Sequence, residues 1–499
     1  MAVKQEKERN KVQEKRRKKK PASTRNSKSS VNNREFAVVT YLFLAIFICL
    51  MGYMVYFQVL RSEDFINSSY NARQDSFQTR ITRGEILSAD GQVLAQTNTD
   101  AEGNETRYYP YSNLFSHVVG YTSKGKSGIE SAMNFNLLRS HSFVVERAVN
   151  EIQNEKSMGD TVVTTLDTSL QQTAYQALGT YQGAVIVLEP STGKILAMVS
   201  RPDFDPNTLE TNWDIITADE AGESVLLNRA TQGLYPPGST FKIFTTLEYM
   251  RENPDYGSFA FQCNGSASVD NTTIHCYGNS VHGAEDLKTA FANSCNSAYA
   301  TIGVGLDKGS FAKLCEHLLF NKTISAGGIE TTKSRFTLNA DSSNGLTMQT
   351  AIGQGETLVT PLHMALIASA VANEGVLMKP YVVDHTQSSE GELVKQFEPT
   401  VYSEEFLTKE EASALQEYMQ YVVTNGTGQK LAGASYTAYG KTGSAEFSSD
   451  KSQSHSWFVG YAHRDDKPDI ALAVIAEGAG TGSTFAVPAA KQIFDAYYQ

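Results

Sequence analysis

The chain has 499 residues, of which 41% are aliphatic, aromatic or Cys and 19% are charged, with 37 Gly. At roughly 150 residues per domain it has room for about three units and a large buried core, which excludes a peptide, a small disulfide scaffold and a disordered chain. The net charge of −11 conceals a basic start, since residues 1–35 hold 13 Lys or Arg against four Asp or Glu. Everything that follows is acidic, so the run Lys15-Arg16-Arg17-Lys18-Lys19-Lys20 reads as a solvated tail, and a nucleic-acid partner is not expected.

Phe36 to Phe57 is a stretch of 22 residues without a charge, long enough at about 1.5 Å per residue to cross a hydrocarbon core as a helix. Tyr41, Tyr53 and Tyr56 lie towards its ends, where amphipathic rings suit the interface. Lys and Arg crowd its N-terminal side, so the positive-inside rule puts residues 1–35 in the cytoplasm and the chain beyond the helix outside. The run exceeds a usual signal core, and Tyr56-Phe57-Gln58-Val59-Leu60 offers no small-x-small cleavage site. Residues 36–60 are therefore expected to be an uncleaved signal anchor of a single-pass membrane protein.

From Gln78 to Ala95 apolar and polar residues alternate about an Asp90-Gly91 turn, the pattern of a β-hairpin. Ile129 to Leu138 reads as helix, and 61–158 as a small α+β pedestal without a reactive constellation. Beyond Gly159-Asp160 the pattern changes. Gly183 to Leu188 is a buried-strand run, a Pro190-Ser191-Thr192-Gly193 turn follows, and Lys194 to Val199 makes a second strand. Helical patterns dominate to about residue 425; strand signals return at Tyr436 to Tyr439, Ser456 to Tyr461 and Ile470 to Glu477, and Pro488 to Tyr498 reads as helix. Strands from both ends of 159–499, with helices between, imply one α+β domain on a mainly antiparallel sheet.

Of five cysteines, Cys49 falls in the membrane helix and Cys263, Cys276, Cys295 and Cys315 fall outside it. Cys263 and Cys276 lie thirteen residues apart in a Gly- and Asn-rich stretch, where a disulfide staple and two free thiols are equally open readings. The nine histidines form no HExxH pattern and no Cys/His pair at the usual zinc spacing, so neither a metal nor another cofactor is expected.

Three short motifs follow one another: Ser239-Thr240-Phe241-Lys242, Ser294-Cys295-Asn296 and Lys441-Thr442-Gly443. SxxK alone occurs five times, at Ser123, Ser191, Ser239, Ser310 and Ser448, so the bare pattern carries nothing. Context separates Ser239. Tyr235-Pro236-Pro237-Gly238 stops one element before it, and Ile243, Phe244, Leu247 and Met250 follow at helical spacing. Ser239 is expected to open a buried helix, with the Lys242 amine on the same face and free N–H groups nearby for an oxyanion. A Lys in such a pocket sheds its proton near neutral pH and serves as base towards the serine. Singly, plainer readings compete: a helix cap at Ser239, a turn at Ser294-Cys295-Asn296, an edge-strand Lys with a Gly bulge at Lys441-Thr442-Gly443.

Together and in this order, the three resemble the active-site set of the penicillin-recognising serine enzymes: SxxK, SxN and KTG. Further segments narrow the resemblance to the class B penicillin-binding proteins, the membrane-anchored peptidoglycan D,D-transpeptidases. These are Arg83-Gly84-Glu85-Ile86-Leu87, Leu188-Glu189-Pro190, Gly353-Gln354-Gly355 with Thr360-Pro361, and Trp457-Phe458-Val459-Gly460-Tyr461. The resemblance implies a dimerisation-like pedestal and, over 159–499, a transpeptidase domain of serine β-lactamase-like fold, an antiparallel sheet flanked by helices. It implies that Ser239 attacks a D-Ala-D-Ala stem peptide with Lys242 as base, and that a neighbouring stem-peptide amine accepts the acyl group. Ser294 would relay a proton, Asn296 would bind Lys242 and the substrate amide, and Lys441 would place positive charge beside Ser294. Thr442, Gly443 and Ser444 would bind substrate, with Thr442 and Ser444 holding its terminal carboxylate.

Such an enzyme is blocked by β-lactams and uses no cofactor. The stretch between anchor and hairpin leaves no room for a glycosyltransferase domain, so a SEDS-type glycosyltransferase in the membrane is the expected partner. A β-lactamase would add a deacylating Glu in an E-x-x-L-N segment between SxN and KTG, which this sequence lacks; a β-lactam sensor would need a cytoplasmic effector, and 1–35 is only a polar tail.

Overall fold

The computed structural model describes residues 33–61, 80–142, 150, 152–153, 155–447 and 453–499. The expected basic tail lies outside the described residues as far as position 32, as does the start of the expected hairpin at Gln78. The chain divides into two units, Met1–Phe65 and Ile66–Gln499. In the first, α1 (Asn33–Tyr56) runs into one π-helical segment, Phe57–Arg61. Among the described residues one helix, Phe36–Val59, is long and apolar enough to cross a membrane, with a mean hydropathy of 2.4.

Among the described residues the second unit holds a six-stranded sheet, a five-stranded sheet and four two-stranded ones. In the first, β1 (Ile86–Leu87), β2 (Val93–Thr99) and β3 (Glu105–Tyr108) form an antiparallel meander. The expected turn is there: Gly91 takes φ +78°, and the Ser88 N–H donates to the Gln92 carbonyl across 2.9 Å. Next comes β4 (Thr161–Thr164), parallel to β1, and two strands from far later in the chain, Val383–Gln387 and Leu393–Gln396, complete the sheet beyond it. Those two strands interrupt the helical stretch expected to reach residue 425. Their pairing with β4 is long-range, and local periodicity does not register it. The helix expected over Ile129 to Leu138 is likewise broken at Met133 into Gly128–Ala132 and Asn134–Leu137. A buried carboxylate ties these helices to the sheet. Glu130 accepts from Arg83 Nε at 2.6 Å and from Arg107 Nε at 2.7 Å, and Arg107 Nη1 donates to the Gly84 carbonyl at 2.7 Å.

The five-stranded sheet begins after α2 (Thr168–Leu178) with β5 (Gly183–Leu188) and β6 (Ile195–Arg201). Helices fill the middle of the chain, among them α3 (Lys242–Glu252), α4 (Leu287–Ala292), α5 (Asn296–Gly305) and α6 (Pro361–Ala372). The chain then returns as β7 (Thr437–Glu446), β8 (Ser454–Arg464), β9 (Lys467–Ala476) and α7 (Ala486–Tyr498). The sheet order is β7-β8-β9-β5-β6, and every pair is antiparallel. Ends of the domain distant in sequence thus close one sheet, as the strand signals imply.

Helices cover both faces of this sheet. α2 and α7 bring Leu170, Ile493 and Phe494 onto Val185 and Leu472; α6 brings Leu362 and Leu366 to the core that holds Ile186 and Ala473. This is why β5 reads as an unbroken apolar run: all six of its residues are buried. Each fully buried Val, Leu, Ile or Phe contributes about 1.5–3 kcal/mol, so the two cores hold β7 rigidly at the sheet edge.

Candidate active site

Ser239 lies in a single 3₁₀ turn, Gly238–Phe241, and the α-helix begins only at Lys242. The side chains that face the groove and the lysine pocket therefore come from a 3₁₀ turn running directly into the first residue of the α-helix. Two glycines set the turn against the edge strand. A Cβ on Gly238, which takes φ +54°, would lie 2.8 Å from the Ser444 carbonyl oxygen. One on Gly443 would lie 2.9 Å from Thr240 Cγ2 and 3.0 Å from both the Pro237 carbonyl oxygen and Trp457 Cβ. Backbone therefore meets backbone where Lys441-Thr442-Gly443 crosses the Ser239 turn. The crossing is pinned by Trp457 Nε1 donating to the Pro236 carbonyl at 3.1 Å. The motif also lies inside β7 and not after it: the strand expected to end at Tyr439 continues to Glu446 because it pairs with β8 along its whole length, Lys441 opposite Val459 and Gly443 opposite Trp457.

Ser294 closes α4 in a Schellman turn. Its N–H donates to the Phe291 carbonyl at 3.2 Å, and the Cys295 N–H donates to the Ala290 carbonyl at 2.9 Å. This end of a helix usually takes Gly; here a Ser stands at φ +58°, a left-handed conformation costing a side-chain-bearing residue about 1–2 kcal/mol. The strain sits where two buried lysines converge. Lys242 Nζ donates to the Ser294 carbonyl at 2.6 Å, to Ser294 Oγ at 3.2 Å and to Asn296 Oδ1 at 2.8 Å. Lys441 Nζ donates to the same Oγ at 3.0 Å and to the Thr442 carbonyl at 3.0 Å. Tyr299 and Phe291 flank the ammonium groups, with ring centres 5.3 Å from Lys242 Nζ and 5.5 Å from Lys441 Nζ.

Burial penalises both charges. It pushes the Lys242 amine down to about 7, and it pushes Lys441 well below the ordinary lysine range, with the neighbouring charge of Lys242 adding to the effect. A lysine that is half neutral at pH 7 can take a proton from a neighbouring hydroxyl.

In front of the lysines an open groove of about 1800 Å³ is lined by Ser239, Ser294, Asn296, Thr442 and Ser444. Thr442 Oγ1 shares a 2.5 Å hydrogen bond with Thr427 Oγ1, and Ser444 Oγ accepts from the Gly482 N–H at 3.3 Å. Asn296 Nδ2 donates to the His275 carbonyl at 3.0 Å, which leaves its other N–H for a ligand. Gly443, expected among the substrate-binding residues, instead faces Thr240 and Trp457.

Residues 183–498 match the model of the penicillin binding protein transpeptidase domain, and residues 83–162 match that of the penicillin binding protein A dimerisation domain. The chain belongs to the class B penicillin-binding proteins. It is 31% identical over 441 residues to a peptidoglycan D,D-transpeptidase, PbpA, of Mycolicibacterium smegmatis, covering 81% of this chain and 87% of that one. Among solved structures, the D,D-transpeptidase domain of a peptidoglycan glycosyltransferase from Eggerthella lenta is similar at 30% identity and a TM-score of 0.74, covering 84% of this chain and 98% of that one. The penicillin G acyl-enzyme complex of penicillin-binding protein A from M. tuberculosis is similar at 26% identity and a TM-score of 0.74, covering 84% and 100%.

The family motifs do not account for the whole groove wall. Thr427, which follows the helix Lys409–Asn425 and belongs to none of the three motifs, also lines the groove. The Cys263–Cys276 staple is not formed: the two sulfurs stand 3.8 Å apart and both cysteines are free, whereas a disulfide needs about 2.05 Å. Cys295 and His282 lie at the same spot, the ligand atoms of all four residues within 4.8 Å of one another.

Proposed function

We propose that this penicillin-binding protein is a peptidoglycan D,D-transpeptidase that works through an acyl-serine at Ser239. One observation carries the reading: Lys242 and Lys441, from separate motifs, both reach the Ser294 hydroxyl at the groove that Ser239 lines. That supplies a nucleophile, a buried amine able to take its proton, and a polarised hydroxyl able to pass one on.

Ser239 Oγ attacks the carbonyl carbon of the penultimate D-Ala of a stem peptide, its proton passes to the neutral Lys242 amine, and the backbone N–H groups of Ser239 and Ser444 receive the oxyanion. The carbon–nitrogen bond breaks, and the terminal D-Ala departs as an amine carrying a proton handed on through Ser294. Lys441 keeps that hydroxyl polarised. The amine of a second stem peptide then attacks the ester, its surplus proton returns by the same route, and Ser239 leaves as a hydroxyl with the cross-linking amide formed. Thr442 and Ser444 hold the terminal carboxylate, and Asn296 holds the acyl amide with its remaining N–H. A β-lactam enters as a mimic of D-Ala-D-Ala and stays as an ester.

The basic residues before α1 favour a cytoplasmic N-terminus, with 61–158 as pedestal and 159–499 as catalytic domain outside. The membrane helix and the pedestal are the surfaces for a SEDS-type glycosyltransferase partner. Intact mass of the full chain in detergent, followed for hours with benzylpenicillin, tests the reading. A lasting adduct of one whole antibiotic, mapping to Ser239 and absent from Ser239→Ala, is expected. Penicillin consumed without an adduct, or an adduct on another serine, overturns it.

A further inference from the structure

Three sulfurs and an imidazole converge beside the SxN motif, and the reaction uses none of them. Cys263 ends the short strand Phe261–Cys263, Cys276 follows the strand Thr272–His275, His282 precedes the strand Gly283–Glu285, and Cys295 caps α5. Their ligand atoms all lie within 4.8 Å of one another. Cys276 Sγ is 3.8 Å from both Cys263 Sγ and Cys295 Sγ, and Cys263 Sγ is 3.4 Å from His282 Nδ1. A tetrahedral zinc ion with bonds of about 2.3 Å to sulfur and about 2.0–2.1 Å to nitrogen spaces its ligands at about 3.8 Å for S–S and about 3.6 Å for S–N. The two S–S distances match those values and the S–N distance comes within about 0.2 Å of its value, with all four ligand atoms inside 4.8 Å.

The alternatives serve the cluster less well. A disulfide would draw two sulfurs together to about 2.05 Å and leave the third with nothing. Ser297 Oγ lies 3.2, 3.3 and 3.2 Å from the sulfurs of Cys263, Cys276 and Cys295, and its one donor and two acceptor positions can pair with thiols, but that pairing does not account for the His282 imidazole 3.4 Å from Cys263 Sγ. The three cysteines are buried and His282 is half-buried.

We propose that Cys263, Cys276, Cys295 and His282 bind one structural zinc ion. Binding breaks three S–H bonds, releases three protons to solvent and forms three Zn–S bonds and one Zn–N bond, with no oxidation or reduction. Four protein ligands close the shell, so the ion holds structure and leaves no position for substrate. A set of three thiolates and an imidazole favours zinc over magnesium or calcium.

The ion has a role because of where Cys295 stands. It is the middle residue of Ser294-Cys295-Asn296, and the ion would fasten the first turn of α5 to the 261–285 ribbon. That ribbon also supplies the His275 carbonyl that holds Asn296 Nδ2. The zinc shell is thus a positioning device for Ser294 and Asn296, set in the wall of the groove that Cys276 and His282 also line; this part rests on the transpeptidase reading, while metal binding itself does not.

The test uses the full chain in detergent, purified under reductant without added metal. Elemental analysis is expected to find one zinc per chain, and cobalt(II) exchanged into the site should show the visible d–d bands and thiolate-to-cobalt charge transfer of a tetrahedral S₃N site. Cys276→Ser and His282→Ala should lose the metal, whereas Cys315→Ser, a buried cysteine outside the cluster, should keep it. If Cys276→Ser does not fold, the wild-type metal count and cobalt spectrum decide. Absence of zinc together with absence of cobalt bands after anaerobic loading overturns the site, as does a fresh chain lighter by two hydrogens with a disulfide among these cysteines. Removing zinc from the wild type should slow benzylpenicillin acylation on the order of tenfold to a hundredfold through misplacement of Ser294 and Asn296. Equal rates with and without zinc would leave the ion bound but overturn its positioning role.

Discussion

Lys441 donates to the Ser294 hydroxyl across 3.0 Å, joining the edge strand β7 to the turn after α4 over 147 positions of sequence. Lys242 reaches the same oxygen at 3.2 Å, so both lone pairs of Ser294 Oγ are taken and its own proton is left to serve the groove. Ser294→Ala removes the acceptor common to both lysines, and acylation by benzylpenicillin is expected to fall about 10²–10⁴-fold. Ser294→Gly should lose as much activity yet unfold later, by about 1 kcal/mol relative to the Ala variant, because φ +58° carries no Cβ penalty in Gly. Equal midpoints for the two variants in urea would refute the strain at this position.

Burial lowers the Lys242 amine from 10.5 to about 7, and the base is the neutral form. The second-order acylation rate should therefore climb as pH rises through about 7 and level off above it; a flat profile from roughly pH 6 to 9 would remove Lys242 as the base. The same shift bears on stability. The folded chain gives up this proton before the unfolded chain does, so between the two values the unfolded state binds more protons and stability from this group rises with pH. Lys242→Met should abolish that rise and acylation together while holding or raising the thermal midpoint, since it replaces a desolvated amine with an apolar side chain.

Much of this was readable from residues alone. Gly183 to Leu188 coincides with β5 because burial on both faces writes an unbroken apolar run, and the serine motif stands out because Pro and Gly stop the chain before it. What local pattern does not carry is long-range. Lys441-Thr442-Gly443 is polar and Gly-containing, so its membership of β7 depends on β8 across the sheet. The strands at 383–396 exist because β4 offers an open edge. The cysteine and histidine cluster escaped for a similar reason: its members are separated by twelve, five and twelve residues, wider than short zinc spacings, and they meet only because the 261–285 ribbon folds back on α5.

Gly443 tests how closely the nucleophile turn and the edge strand must approach. In Gly443→Ala the new methyl would press on Thr240 Cγ2, the Pro237 carbonyl and Trp457 Cβ, all within 3.0 Å. β7 cannot retreat without losing its ladder to β8, so the Ser239 turn must move. Overpacking of this kind costs about 1–3 kcal/mol, and displacing the nucleophile by as little as 1 Å costs on the order of 100-fold in rate. Acylation should thus suffer far more than the unfolding midpoint; a variant with wild-type acylation would show that the close approach serves packing alone.

The pedestal should behave in the opposite way. Glu130 is fully buried and shared by two guanidinium groups, Arg83 at 2.6 Å and Arg107 at 2.7 Å. Burial alone would raise its carboxyl; the charge of Arg107 and then of Arg83 overcomes that and holds it below the ordinary value. Glu130→Gln leaves two buried cations facing a neutral amide, a loss of about 3–5 kcal/mol. Arg83→Met should cost less, because Arg107 still neutralises Glu130 while the Met side chain fills part of the vacated space. None of these groups lines the groove, so the acylation rate per folded molecule should stay at the wild-type value in both variants. Urea unfolding read beside acylation of the surviving folded fraction decides it, and a Glu130→Gln chain no less stable than Arg83→Met would refute the shared-carboxylate account.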